Sequence, residues 1–271
     1  MERGRIAVLR LDSICGPPYY LTPRVDVNPT LLDKREVRIQ RMFGQIAPWY
    51  DFLNHFLSLN IDRRWRTKTA KLVPANGQGP ILDLCTGTGD LAMTYDKACH
   101  GKATIIGADF CHEMLVRAVD KNRRAGSEGR IAYIEADAQL LPFPDEHFQI
   151  VTVSFGLRNV TDPDKGLSEM VRVAQPGGRV AVLEFSKPTN RYFRKLYLWY
   201  FRNVLPRIGQ LLSRSKESAY QYLPASVLQF PDGEAMAQKM RYCGLTAVTY
   251  YPFTFGIATL YVGEKPLVAT A

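Results

Sequence analysis

The chain has 271 residues, of which 46% are hydrophobic and 23% charged, with a formal net charge of +9. That length and balance are ordinary for a globular protein with a substantial core, and no apolar run is long enough to cross a bilayer. Five cysteines show neither C-x-x-C pairing nor metal-ligand spacing with the four histidines, which argues for a reducing compartment and against structural zinc, so no metal site is expected.

Residues 1–36 mix Arg3, Arg5 and Arg10 with Glu2 and Asp12 and contain Pro17 and Pro18. No apolar stretch there suits a secretory signal, and transit peptides usually avoid acids, so a poorly ordered extension or an upstream start codon is the expectation. From 37 to 59, Phe43, Ile46, Ala47, Tyr50, Leu53 and Leu57 recur at three- and four-residue steps, a helical pattern. Pro48 breaks or kinks it and leaves Tyr50 and Asp51 beside the break. A basic helical segment, 62–68, leads to a Pro- and Gly-rich linker at 74–80.

Residues 80–93 read as strand, tight loop and helix. Gly87 and Gly89 permit positive φ and lack the Cβ atoms that keep a ligand away from the backbone. The stretch from Gly87 to Ala92 also satisfies the loose G-x-G-x-x-G/A pattern of dinucleotide folds, a weak signal by itself. Asp83, near the end of the first strand, suits an ammonium group and suits a pyrophosphate poorly. Asp109 follows the apolar run 103–108, about twenty residues past the loop, where an acid at a strand tip accepts both ribose hydroxyls. Asp137 and Ala138 follow the run 131–136 and are placed to meet an adenine ring. Taken singly, these acids can be a helix cap, an Asx-turn or a strand end. Together they outline a crevice for a cationic ligand without phosphate, and S-adenosylmethionine is such a ligand. Cys85, inside the loop, reads as a small packing residue.

Beyond a turn at 141–147, residues 148–153 form a fourth buried strand, and Ser154 to Asn159 stand at its carboxyl end. Ligands of open α/β sheets bind at that end of the strands, so this hexapeptide borders the crevice. A helix over 164–174 stops at Pro176, Gly177 and Gly178, and 179–185 is a fifth strand. Alternating strands and helices predict a parallel, doubly wound sheet. Segment 191–206 carries Phe193, Leu196, Tyr197, Tyr200, Phe201 and Val204 on a broad face beside Arg191, Arg194, Lys195 and Arg202. Such a basic amphipathic helix lies at a membrane surface, roofs a lipid pocket, or packs on its own domain with its cations solvated. Residues 208–212 continue apolar, 213–218 are a polar loop, and 220–231 lead into a helix over 232–243. Two strands, 247–251 and 257–262, close the chain, with Gly244 capping the helix before them.

Several stretches together resemble the ubiquinone/menaquinone biosynthesis C-methyltransferases over 38–265: 42–51, Asp62 to Trp65, 82–91, 138–145, 154–160 (SFGLRNV), 183–188 (LEFSKP) and 203–207. The glycine loop is shared by many methyltransferases, whereas SFGLRN and LEFSKP are far more specific. The resemblance implies an α/β, doubly wound, seven-stranded class I S-adenosylmethionine-dependent methyltransferase fold (Rossmann-like), with an antiparallel last strand and an N-terminal helical lid. It divides the chain into an extension (1–36), a lid (37–73), a methyltransferase domain (74–265) with a helical insertion at about 188–226, and a tail (266–271). It carries the cofactor contacts onto Thr88, Asp109, Asp137, Ala138 and Ser154, joining Asp83, Gly87 and Gly89 from the loop reading. The implied acceptor is a prenylated quinol, either demethylmenaquinol or a methoxy-polyprenyl-benzoquinol. The chain is then expected in the cytoplasm, with peripheral membrane contact through 191–212, organelle targeting left open, and a homodimer or quinone-biosynthesis complex as conceivable assemblies.

A ring carbon attacks a sulfonium methyl well only as a neighbouring hydroxyl loses its proton, and a phenol pKa of about 10 makes that anion scarce at neutral pH. Arg158 is the candidate to hold the oxyanion or orient a water, since an arginine is a poor base. Asn159 is a candidate to position the ring oxygen. Tyr50, Asp51 and His55 are proton acceptors or pocket walls, unranked. Two other classes compete: a lipid-surface scaffold that binds the cofactor without turnover, and a nucleic-acid methyltransferase. The intact loop with both downstream acids disfavours the first. The second lacks the Asn/Asp-Pro-Pro-aromatic motif and a nucleophilic cysteine at the end of strand four, so no nucleic-acid partner is expected.

Overall fold

In the computed structural model, which describes residues 36–47, 50, 51, 55, 58, 60–77, 79–203 and 219–267, seven strands join one sheet. They are β1 (Ile81–Leu84), β2 (Ile105–Asp109), β3 (Ile131–Glu135), β4 (Phe148–Ser154), β5 (Ala174–Phe185), β6 (Thr246–Phe253) and β7 (Ala258–Glu264). The order is β3-β2-β1-β4-β5-β7-β6, and β7 runs opposite to the other six. The central strands are covered on both faces, which is why β1 is buried at every position and β4 at all but its last. Alternation sends Leu82, Leu84, Val151 and Val153 into one core and Ile81 and Ile150 into the other.

Among the described residues, eight helices surround the sheet: α1 (Glu36–Ile46), α2 (Ile61–Leu72), α3 (Asp90–Ala98), α4 (His112–Arg124), α5 (Pro163–Val173), α6 (Arg191–Asn203), α7 (Ala219–Gln229) and α8 (Glu234–Tyr242). Local chemistry starts several of them. The Asp162 side chain accepts from the backbone N–H groups of Asp164 and Lys165, with Pro163 in the first turn. Asn190 does the same for Tyr192 and Phe193 at the start of α6.

A third apolar cluster joins Ile39, Met42 and Ile46 of α1 to Tyr197 of α6 and to Tyr222 and Val227 of α7. Phe110, just past β2, and Phe185, the last residue of β5, pack against it, so this layer covers the carboxyl ends of the strands. No helix among the described residues is long and apolar enough to cross a membrane.

Two expectations need correction. The fifth strand begins at Ala174, which pairs with Phe148, and the register then jumps to Ile150 with Arg179. Pro176, Gly177 and Gly178 thus sit in an irregularity of β5 rather than before it, with Gly177 at φ 72° where glycine has no Cβ penalty. Residues 219–229 form α7 although Pro224 lies inside it. Burial of Tyr222, Ala225 and Val227 outweighs the one backbone hydrogen bond that the proline forgoes. The expectations for residues 1–35, for the Pro48 break and for 204–218 fall outside the described residues.

Candidate active site

The sheet opens into a crevice of about 680 Å³ free volume at the carboxyl ends of β1, β2, β3 and β4. Gly87, Asp109, Asp137, Ala138, Ser154 and Asn159 line it from the sheet side, and Ile39, Phe43 and Tyr50 from the helical layer. The loop after β1 is held tightly. Cys85 takes φ 49°, Gly87 φ 57° and Gly89 φ 82°. A Cβ on Gly89 would stand 2.5 Å from the Tyr133 hydroxyl, so close packing as well as backbone conformation demands glycine there. Burial and the neighbouring acids push the Cys85 thiol well up, which keeps it protonated and inert.

Asp109 organises the crevice wall. Its Oδ2 accepts from Gly87 N at 2.8 Å and its Oδ1 from Cys111 N at 2.9 Å, tying the tip of β2 to the glycine loop. Burial pushes its carboxyl up to about 6 despite those hydrogen bonds. Asp137 accepts from the backbone and side chain of Gln139, which turns the chain after β3 and brings Ala138 to the wall.

Asp83 lies next to the loop rather than in the lining. It is buried beneath the loop, where Oδ2 accepts from Thr86 Oγ1 at 2.6 Å and from Ala92 N at 3.1 Å, and it does not line the crevice. Its carboxylate therefore caps the start of α3, and burial pushes it up to about 7. Thr88 and Gly89 also lie behind the lining. Thr88 Oγ1 donates to Asp51 Oδ1 at 2.5 Å, and Lys121 Nζ on α4 reaches Asp51 Oδ2 at 2.6 Å and Asp90 Oδ1 at 2.5 Å. Asp51 is thus held in a charged latch between the segment after α1 and the glycine loop. His55 Nδ1 lies 2.8 Å from Asp62, which also accepts from Arg66 at 2.5 Å and from Ser58 Oγ at 2.7 Å. His55, Asp62 and Asp90 could present ligand atoms within 4.8 Å of one another, but Arg66 and Lys121 already neutralise those carboxylates. Of the three unranked lid candidates, Tyr50 alone lines the crevice.

Arg158 lies in a 3-10 turn (Leu157–Asn159) after β4 and is buried. Its guanidinium donates to Glu184 Oε2 at 2.8 Å and to Phe155 O at 2.5 Å, over the Phe185 ring at 5.3 Å. Glu184 Oε1 also accepts from Arg158 N at 3.2 Å. One edge of the arginine is committed to this pair, while Nε has no partner. Sequence reasoning missed Glu184, Lys121, Phe110 and Gln139. Glu184 had a usable signal, an acid in an otherwise apolar strand end; Lys121 had none, because it sits in a charged helix face.

The lining fits a cationic nucleoside cofactor. Among the described residues it contains two carboxylates, Asp109 and Asp137, and no Lys, Arg or His, which gives a pyrophosphate no counter-charge there and disfavours a dinucleotide.

Comparison with known proteins adds the following. The profile described as the ubiE/COQ5 methyltransferase family matches residues 31–265. A ubiquinone/menaquinone biosynthesis C-methyltransferase of Geobacter sulfurreducens is 45% identical over 236 residues, covering 87% of this chain and 91% of the relative. A demethylmenaquinone methyltransferase of Thermus thermophilus is 46% identical over 225 residues, covering 83% and 100%. Among solved structures, a [4+2]-cyclase superposes with a TM-score of 0.64 at 15% identity, covering 85% of this chain and 96% of that one, which is a likeness of fold.

Proposed function

Because this chain belongs to the ubiE/COQ5 methyltransferase family, we infer that it moves the methyl group of S-adenosylmethionine to a ring carbon of a prenylated quinol in menaquinone or ubiquinone synthesis. The observation that carries the assignment of the crevice is its lining: two acids and no base beside a glycine loop, under an apolar roof. When bound, the cofactor supplies an electrophilic methyl on a sulfonium. Asp109 accepts the ribose hydroxyls, Asp137 and the backbone at Ala138 meet the adenine, and the loop from Gly87 with Ser154 borders the amino-acid end. Asp83, Thr88 and Gly89 support the cofactor from behind by fixing the loop.

The lid is the stretch from α1 through Asp51. Ile39, Phe43 and Tyr50 exclude water from the crevice and give the lipophilic ring an apolar wall. Asp51 acts as a latch to Lys121 rather than as a base. Asn159 meets the ring oxygen from the crevice side. Arg158, anchored by Glu184, places a fixed positive charge behind it, and such preorganised charge stabilises a developing phenolate without reorganisation. The Thermus relative's name favours demethylmenaquinol as the acceptor.

Access to a membrane-dissolved acceptor runs through α6. Tyr192 is 82% exposed and Trp199 58%, and Arg191, Arg194 and Lys195 are exposed beside them. This aromatic and basic face suits an anionic lipid surface.

The direct test is purified protein with S-adenosylmethionine and either reduced demethylmenaquinol or the methoxy-polyprenyl-benzoquinol in detergent, followed by mass spectrometry. A product heavier by one methylene from the naphthoquinol alone assigns menaquinone synthesis. The same gain from the benzoquinol alone assigns ubiquinone synthesis, and no product from either refutes the reading.

A further inference from the structure

Beside the Arg158–Glu184 pair, three buried polar atoms have no hydrogen-bond partner: Arg158 Nε, Asn159 Oδ1 and Tyr222 Oη. Arg158 and Asn159 are adjacent in the 3-10 turn, and α7, which carries Tyr222, packs against that turn. Arg158 and Glu184 are also the leading charges in the surroundings of the Tyr222 hydroxyl. Asn159 lines the crevice, and Tyr222 shares its apolar cluster with Ile39, Phe43 and Tyr50, which roof it, so the 3-10 turn and α7 flank the acceptor side of the site.

Buried polar groups are nearly always satisfied, and unsatisfied ones on adjoining elements beside a binding crevice mark a place where a bound polar group supplies the partner. Their chemistry specifies the group. The Arg158 Nε–H and the Tyr222 hydroxyl are donors, and Asn159 Oδ1 is an acceptor. A phenolic hydroxyl has two lone pairs and one proton, and these three atoms match it one for one. A ketone lacks the proton for Asn159, and an ether likewise offers only lone pairs.

We propose that Tyr222 is a substrate-binding residue, whose hydroxyl donates to the ring oxygen of the quinol, with Arg158 Nε as the second donor and Asn159 Oδ1 receiving that oxygen's proton as a hydrogen bond. The assignment rests on the quinol reading above. It explains how the site selects the reduced ring over the oxidised one, because only the quinol fills all three positions. As the hydroxyl ionises, both donors strengthen while Asn159 loses its bond, so the pair of donors favours the anion that pushes electron density onto the ring carbon. Burial pushes the tyrosine up to about 12, which keeps it a donor at neutral pH.

The test is Tyr222→Phe in the full chain, which preserves the packed ring, assayed with a short-tailed reduced quinol. The expected result is S-adenosylmethionine affinity within about twofold of wild type, kcat/KM for the quinol lower by about 10- to 100-fold, and the alkaline rise of kcat displaced to higher pH. A second measurement uses the quinol's monomethyl ethers as competitive ligands. Wild type should bind the quinol more tightly than the ether blocked at the recognised oxygen, and Tyr222→Phe should shrink that preference. Normal kcat/KM with an unshifted pH limb and an undiminished preference would overturn the proposal, as would a variant that only melts earlier. A wild-type protein that binds S-adenosylmethionine yet methylates no quinol overturns the quinol reading itself, and this inference with it.

Discussion

The crevice has two halves, built differently. The cofactor half is made of backbone: a loop with positive φ at Cys85, Gly87 and Gly89, and strand ends whose acids bind backbone N–H groups. The acceptor half is made of side chains: an apolar cluster from α1, β5, α6 and α7, and the buried Arg158–Glu184 pair that ties the 3-10 turn to β5. The first half is rigid because its ligands are covalent neighbours of the central strands. The second is assembled by packing, so it can be changed by substitutions far from the cofactor.

The sharpest way to break this contrast is at Glu184. Its removal leaves Arg158 buried without a counter-charge, and Glu184→Ala is expected to cost about 3–5 kcal/mol of folding stability. Denaturant midpoints of Glu184→Ala and Glu184→Gln would check this. A loss below about 1 kcal/mol would mean that Arg158 is hydrated and not held by the pair. Next comes Asp109→Ala, which removes the crevice acid and also frees Gly87 N. Calorimetry should show S-adenosylmethionine affinity lower by about 100-fold in a folded protein, and near-normal affinity would remove Asp109 from the cofactor half.

The same half carries a pH signature. Asp83 and Asp109 are raised to about 7 and about 6, so between pH 5 and 7.5 the unliganded protein holds protons that the unfolded chain has lost. Stability of the unliganded protein should therefore fall as pH rises through that window, the reverse of the usual carboxylate behaviour. Asp62, Asp90 and Asp96 are lowered, and their contribution is already complete by pH 5. A cationic cofactor favours the ionised acid, so its affinity should tighten by about tenfold from pH 5 to 7.5, and Asp109→Asn should flatten the trend. A flat wild-type profile would contradict the burial of Asp109.

The smallest effect tests the seam between the halves. Lys121→Met removes the cation that ties Asp51 to Asp90, and because Lys121 is partly exposed the change should cost about 1 kcal/mol. It should appear as a severalfold faster release of cofactor in stopped-flow measurements. An unchanged release rate would show that the latch does not hold the lid.

The amino-acid order by itself determined the parts whose causes are local. Alternating apolar runs and helical periodicity specify the wound sheet, Gly87 and Gly89 the loop, and the acids after successive strands the cofactor wall, because strand ends converge once the sheet is known. Local patterns read 220–231 only as a lead-in to the next helix and Pro176 to Gly178 as a boundary, whereas α7 forms through Pro224 and β5 runs through the irregularity. Only the tertiary structure decided which way equivalent side chains face. Asp83 turned under the loop to cap α3 while Asp109 faced the crevice, although both stand at or next to a strand's carboxyl end. It also chose partners distant in the chain: Arg158 with Glu184, 26 residues on, and Lys121 with Asp51, 70 residues back. Each pairing depends on how the sheet, helices and lid close on one another. No spacing encodes that, because the same charges on a different packing would be solvated.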